Sequence, residues 1–135
     1  MIVVDTNVIS YFYLSSDYSE LTEQLFIKTS SWSAPMLWRS EFRNVLSFYI
    51  RKKIITLQAA IQIFETAESL LQNNEYEINS VKVLKLSQES GCSAYDCEFI
   101  NLAQDLNVPL VTMDKKLLNN FKNTAVSIQK YIENY

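Results

Sequence analysis

Ile2-Val3-Val4 is an unbroken β-branched run that leads straight into Asp5. Such a run, with no polar alternation, is the pattern of a strand buried on both faces, the habit of parallel sheets. The pattern returns near the other end of the chain, where Pro109-Leu110-Val111-Thr112 is followed by Met113-Asp114. Parallel neighbours need crossover connections, usually helical. In open α/β sheets, ligands bind outside the carboxyl ends of the strands. Each segment therefore predicts a carboxylate delivered to the edge of the sheet where chemistry is done.

Between the two segments the apolar spacing is mostly helical. Val8 to Leu14 predicts a short helix capped by Thr6 or Asn7, and Tyr18 to Lys28 a second one with Leu21, Leu25 and Phe26 on one side. Ser31 to Ala34 predicts a short strand closed by Pro35. Leu37 to Lys52 is a helix with Trp38, Phe42, Val45, Phe48 and Tyr49 in one stripe. Thr56 caps a helix running to about Asn73, Glu77-Ile78 predicts a short strand, and Ser80 caps a helix through Glu89. The single glycine, Gly91, sits where a helix C-terminus favours one. Ser93 opens a helix to Leu106, striped by Tyr95, Phe99, Leu102, Ala103 and Leu106, and Lys115 to Phe121 is a short helix. Ala125 to Ile128 predicts an edge strand, with a terminal helix or tail beyond. One glycine and two prolines suit this helix-rich reading better than a turn-rich all-β fold. No linker, repeat or composition shift divides the 135 residues, so a single α/β domain over 1–135 is expected.

Two more acids fall in unusual places. Glu41 lies inside the apolar stripe of its helix, between the directions of Val45 and Phe48, and Asp96 shares the apolar sector of its own helix. Glu98 and Asp105 fall on the opposite side, expected to be wet. Each acid has an ordinary explanation. Asp114 suits an N-cap, Asp96 completes a Ser-x-x-Asp capping box, and Glu41 suits the edge of a stripe, snorkelling to water or paired with an arginine. A shared explanation is a common cleft. Four carboxylates there would repel by roughly 3 kcal/mol per pair at about 5 Å with an effective dielectric of about 20. Proteins accept that when some acids stay protonated or a cation joins them.

Composition narrows the chemistry. The chain has no histidine, which removes every histidine triad and every histidine base. Cys92 and Cys97 are too few for a zinc site and are expected to be reduced thiols of a cytoplasmic protein. No apolar run approaches the ~20 residues of a membrane span, and the N-terminus lacks the pattern of a signal peptide. With oxygen ligands only, the expected cation is Mg²⁺ or Mn²⁺, bound by Asp5, Asp96 and Asp114. Glu41 is then a ligand or the group that orients an attacking water. Asn7 and Thr112 stand beside acids at strand ends, where they could hold them by hydrogen bonds. The matching reaction is metal-assisted phosphodiester hydrolysis. A net charge of −3 leaves phosphate contacts to a local basic rim, for which Arg39, Arg43, Arg51-Lys52-Lys53, Lys115 and Lys116 are the candidates, with Lys115, Lys116 and Arg39 or Arg43 favoured.

The motifs Val4-Asp5-Thr6-Asn7-Val8-Ile9-Ser10, Trp38-Arg39-Ser40-Glu41-Phe42-Arg43-Asn44-Val45-Leu46, Ser93-Ala94-Tyr95-Asp96-Cys97-Glu98-Phe99 and Leu110-Val111-Thr112-Met113-Asp114-Lys115-Lys116-Leu117-Leu118 occur in this order along the whole chain. The chain so resembles the PIN-domain ribonucleases, and within them the VapC-like toxins of toxin–antitoxin pairs. The resemblance implies a three-layer α/β/α fold with a parallel sheet of about four or five strands. It implies a quartet of Asp5, Glu41, Asp96 and Asp114, a Mg²⁺- or Mn²⁺-dependent cleft, and an RNA substrate. It also implies a homodimer and an antitoxin partner, while PIN domains in RNA processing keep a non-toxin role open. Two other readings differ in kind. A receiver-type signalling domain would also use Mg²⁺ and acids at strand ends, but it leaves Glu41 and Asp96 without a task. A binding module whose acids are all caps predicts no stabilisation by Mn²⁺.

Overall fold

The computed structural model describes residues 1–135. Five strands, β1 (Ile2–Val4), β2 (Trp32–Pro35), β3 (Glu75–Tyr76), β4 (Leu110–Val111) and β5 (Ala125–Val126), form one sheet in the order β3-β2-β1-β4-β5. Every pairing is parallel. Eight helices connect and follow them: α1 (Thr6–Tyr13), α2 (Ser19–Lys28), α3 (Leu37–Arg51), α4 (Leu57–Leu71), α5 (Ser80–Ser90), α6 (Ala94–Leu106), α7 (Lys115–Asn120) and α8 (Ile128–Asn134). This is the three-layer α/β/α arrangement expected from the sequence, with five strands. No helix is long and apolar enough to cross a membrane.

The strand order follows from the opening run. Ile2, Val3 and Val4 are fully buried, so β1 takes the centre, with Ile2 beside Trp32 on one side and Val3 beside Leu110 on the other. The chain winds outward from β1 to β2 and β3, then crosses back to β4 and β5. Right-handed crossovers put the helices of those two halves on opposite faces of the sheet. Contacts agree: α1 packs on α2, α3 and α4, whereas α5 packs on α6, and α6 lies across β1, β2 and β4. The order reverses between β1 and β4, which opens a crevice beyond their carboxyl ends. Asp5 follows β1 there and Asp114 follows β4.

Aromatic packing fixes the β2 side. Trp32 is wedged edge-on between Phe12 and Phe26, at 5.1 and 5.7 Å, with its indole N–H given to the Thr29 carbonyl at 2.7 Å. Trp38 stacks on Phe64 at 5.4 Å and donates its indole N–H to Glu75 at 2.7 Å.

Glu75 also explains a correction. The sequence favoured Glu77-Ile78 as the third strand, because Ile78 has the better β propensity. The strand forms two residues earlier, pairing Ala34 with Glu75 and Pro35 with Tyr76. Arg39 holds it there, donating from Nε and Nη2 to Glu75 at 2.6 and 2.8 Å and from Nη1 to Glu68 at 2.5 Å. Two caps also differ from expectation. Asp5 itself caps α1, accepting from the Val8 N–H at 3.0 Å, and Asn79 rather than Ser80 caps α5. Gly91 does end α5, in the left-handed region at φ 71°.

The hydrogen bonds from Arg39 hold the Glu75 carboxyl below its ordinary range. A depressed carboxylate stabilises the fold above its unfolded pKa and loses that contribution as pH falls through the folded one. Glu75→Gln is therefore expected to cost about 1–2 kcal/mol at pH 7 in urea unfolding. The gap from wild type should close below about pH 4; a gap that stays constant with pH contradicts the ion pair's role.

Candidate active site

The four acids singled out in the sequence come from four different elements and meet at one edge of the sheet. Asp5 ends β1, Asp114 precedes α7, Asp96 lies in the first turn of α6, and Glu41 lies in the second turn of α3. Their charges form a closed ring. The Asp5 carboxyl is pushed up to about 6, first by burial and then, against its hydrogen bonds, by the charges of Asp114 and Glu41. Glu41 is raised by burial and then by Asp96. Asp96 is raised by burial and then by Asp114. Each acid thus faces the next, and the ring closes on Asp5.

Local structure explains how each is held. Asp5 is only 8% exposed. One of its oxygens accepts the Val8 N–H and the other the Thr112 hydroxyl. The Thr112 oxygen in turn accepts the Asp114 N–H at 3.1 Å, so one threonine ties the two strand-end acids together. Asp114 caps α7 through the Leu117 N–H at 3.1 Å. Ser93 caps α6 by accepting the Asp96 N–H at 3.1 Å. The Asp114 cap read from the sequence is thus real, and of the Ser93–Asp96 capping box the serine half forms; both coexist with membership of the ring. The N-termini of α1, α6 and α7 all lie beside these carboxylates, and their partial positive charge offsets part of the repulsion.

Two neighbours were not singled out in the sequence. Thr6 donates its hydroxyl to Glu41 Oε1 at 2.6 Å, which fixes that carboxylate although it sits on another helix. Asn7, expected to play such a part, is exposed and makes no side-chain hydrogen bond. Glu98, expected on the wet side with Asp105, is half-buried. Its carboxyl is raised by burial and then by Glu41. The reason is that α6 lies between the sheet and α5, so its wet side is narrow: six of its residues from Cys97 to Ala103 are buried. Asp105 is exposed and pairs with Lys82 at 3.0 Å.

The basic candidates divide. Arg39 is two residues from Glu41 and so on another side of α3, committed to Glu68 and Glu75. Its expected contact with phosphate does not fit that pairing. Arg43 is exposed, with its guanidinium over the Phe64 ring at 5.5 Å. Lys116 donates to the Gly91 carbonyl at 2.7 Å, close enough to Asp96 to lower its carboxyl somewhat. Lys115 is exposed and unengaged.

The raised Asp5 carboxyl gives a sign for stability. A carboxylate whose folded pKa lies above its unfolded value destabilises the fold as pH rises between the two. Asp5→Asn is therefore expected to unfold later than wild type in metal-free buffer at pH 7.5, by about 1–2 kcal/mol. The advantage should vanish by pH 4. Thermal scans with a chelator check this, and a less stable Asp5→Asn at pH 7.5 contradicts it.

Comparison with known proteins follows the same lines. The model of the PIN domain family matches residues 2–125. No curated protein matches the sequence. Among solved structures, PAE2754 from Pyrobaculum aerophilum aligns with a TM-score of 0.77 at 20% identity, over 98% of this chain and 93% of that one. A chain of a toxin–antitoxin complex from Klebsiella pneumoniae aligns with a TM-score of 0.71 at 15% identity, over 95% and 98%. A chain of FitAcB from Neisseria gonorrhoeae aligns with a TM-score of 0.72 at 13% identity, over 96% and 99%. At these identities the structural likeness is one of fold. The family match spans nearly the whole chain, and with the fold and the four strand-end and helix-borne acids it places this protein in the PIN domain family.

Proposed function

We propose that this chain is a divalent-metal-dependent endoribonuclease that hydrolyses RNA phosphodiester bonds at the ring of Asp5, Glu41, Asp96 and Asp114. The carrying observation is that ring, in which each acid raises or is raised by its neighbour at the crevice between β1 and β4. PIN domains are nucleases, which supports hydrolysis as the reaction class. The donor set suits a hard cation: it is all oxygen, with no histidine in the chain and both cysteines buried. No three of the acids stand close enough, as placed, to hold an ion by themselves. Mg²⁺ or Mn²⁺ would take one or two of these carboxylates and complete its shell with water and substrate phosphate.

In this reading Asp5, Asp96 and Asp114 bind the cation directly or through water. A cation held by these residues would supply the acidity that ionises a water and positive charge to offset that developing on the phosphate. Glu41 keeps Oε1 on Thr6 and has Oε2 left to accept a proton or orient the attacking water. Thr112 holds Asp5 and Asp114 in mutual register. Lys115 and Arg43 are the rim cations free for the RNA backbone, while Lys116 is held on the Gly91 carbonyl.

The protein is further proposed to be the toxin of a toxin–antitoxin pair in the cytoplasm, with an antitoxin partner. One structural neighbour is a chain of a toxin–antitoxin complex, which supports that assignment. Homodimerisation goes with it, and the exposed Val81 and Leu84 of α5 offer apolar surface to a second copy. A monomeric mass in solution would contradict the dimer.

Purified protein is expected to cleave single-stranded RNA with Mg²⁺ or Mn²⁺ and to stop when the metal is chelated. Asp5→Asn and Asp96→Asn should each lower the rate by about 10³-fold or more with the fold intact by circular dichroism. Thr112→Val should weaken metal-dependent activity by about 10- to 100-fold. Cleavage by Asp5→Asn at the wild-type rate overturns the proposal.

A further inference from the structure

An acidic protein that holds RNA needs more than charge. Among the cations expected to contact phosphate, Arg39 is spent on two glutamates and Lys116 bonds the Gly91 carbonyl. On the α2 side, Lys28 donates to the Ile132 carbonyl at 2.6 Å. Of the favoured candidates that leaves Arg43 and Lys115 free of hydrogen-bonded partners, few cations for a chain of net charge −3, so a further source of attraction near the cleft would add to them.

An aromatic pair lies beside it. Tyr11 of α1 and Tyr18, just before α2, have ring centroids 4.8 Å apart at an interplanar angle of 46°. Tyr18 is 39% exposed and Tyr11 is half-buried. Asn7 and Tyr11 are four residues apart and share one face of α1, and helical side chains lean toward the helix N-terminus. The N-terminus of α1 is Asp5, so the Tyr11 ring leans toward the acidic cleft. In keeping with that lean, the Tyr11 phenol is raised first by burial and next by the charge of Asp5. Neither phenol is hydrogen-bonded to a partner that would hold the pair as a core element. The strip from Asp5 past the exposed Asn7 to Tyr11 and Tyr18 therefore presents aromatic surface leading away from the carboxylates.

We propose that Tyr11 and Tyr18 form a stacking platform for an unpaired base of the RNA, one that flanks the phosphate held at the four acids. Base stacking on aromatic side chains is sequence-tolerant, and it adds affinity where free cations are few. It also selects for single strands, since a base in a duplex is not available to stack on protein. The proposal rests on the nuclease reading above, and the test separates the two.

A fluorescein-labelled, short single-stranded oligoribonucleotide is titrated with the full chain by anisotropy, with Ca²⁺ in place of Mg²⁺ to slow turnover, and the same RNA is cleaved in Mg²⁺. Tyr18→Leu is expected to weaken binding by about tenfold and to raise KM more than it lowers kcat. Tyr18→Trp should retain wild-type affinity. Replacing successive nucleotides with abasic ones should find one position at which wild type and Tyr18→Leu bind alike. Because Tyr18 is exposed, its replacement leaves the fold in place, and circular dichroism checks that. Wild-type affinity and KM in Tyr18→Leu, in a protein that still cuts RNA, overturn the platform and leave the nuclease standing. A wild-type chain that neither binds nor cuts RNA overturns both.

Discussion

The Thr112 hydroxyl is the smallest part of the site and the one on which its geometry turns. It donates to Asp5 at the end of β1 and accepts from the Asp114 backbone after β4, so it couples the two strands whose divergence opens the cleft. Without such a link two carboxylates on adjacent strand ends would turn apart, because each is better solvated alone. Asp5 is buried there, and burial, with the charges of Asp114 and Glu41, pushes its carboxyl up to about 6 against the lowering effect of the Thr112 hydrogen bond. Repulsion is thereby stored in the folded protein, and a divalent cation or a proton relieves it.

The fold makes that arrangement available at little cost. A central β1 and the order β3-β2-β1-β4-β5 put the reversal of strand order next to Asp5. The same edge collects the N-termini of α1 and α7, which begin just after β1 and β4, and that of α6, which carries Asp96 in its first turn. Helix dipoles and capping hydrogen bonds then support acids that would otherwise repel freely. The rest of the molecule positions this edge. Arg39 and Trp38 pin β3 through Glu75, and that holds the end of α3 from which Glu41 reaches Thr6.

Much of this was legible in the residues. The apolar runs before Asp5 and Asp114 gave the parallel sheet and the strand-end acids, and helical periodicity placed Glu41 and Asp96 toward the interior. What could not be read were partners set by tertiary contact. The pairing of Thr6 with Glu41 joins residues 35 apart, and a threonine after an aspartate looks like an ordinary cap. Glu98 looked wet because periodicity reports a helix against one surface, whereas α6 is covered by both the sheet and α5. The third strand was misplaced because propensity ranks Ile78 above Glu75, and only the Arg39 fork decides for Glu75. Arg39 itself appeared to be a free cation for the same reason: its two glutamates are 29 and 36 residues away in sequence.

Four carboxylates gather at the carboxyl ends of β1 and β4, and Asp5, with Asp96 or Asp114, is proposed to bind a divalent cation there. A crystal soaked in Mn²⁺ tests that binding most directly. The account predicts an anomalous peak within about 2.2 Å of an Asp5 oxygen or one water away, with Asp96 or Asp114 in the same shell. Mn²⁺ bound only at other surfaces, with the four acids left apart, would contradict it.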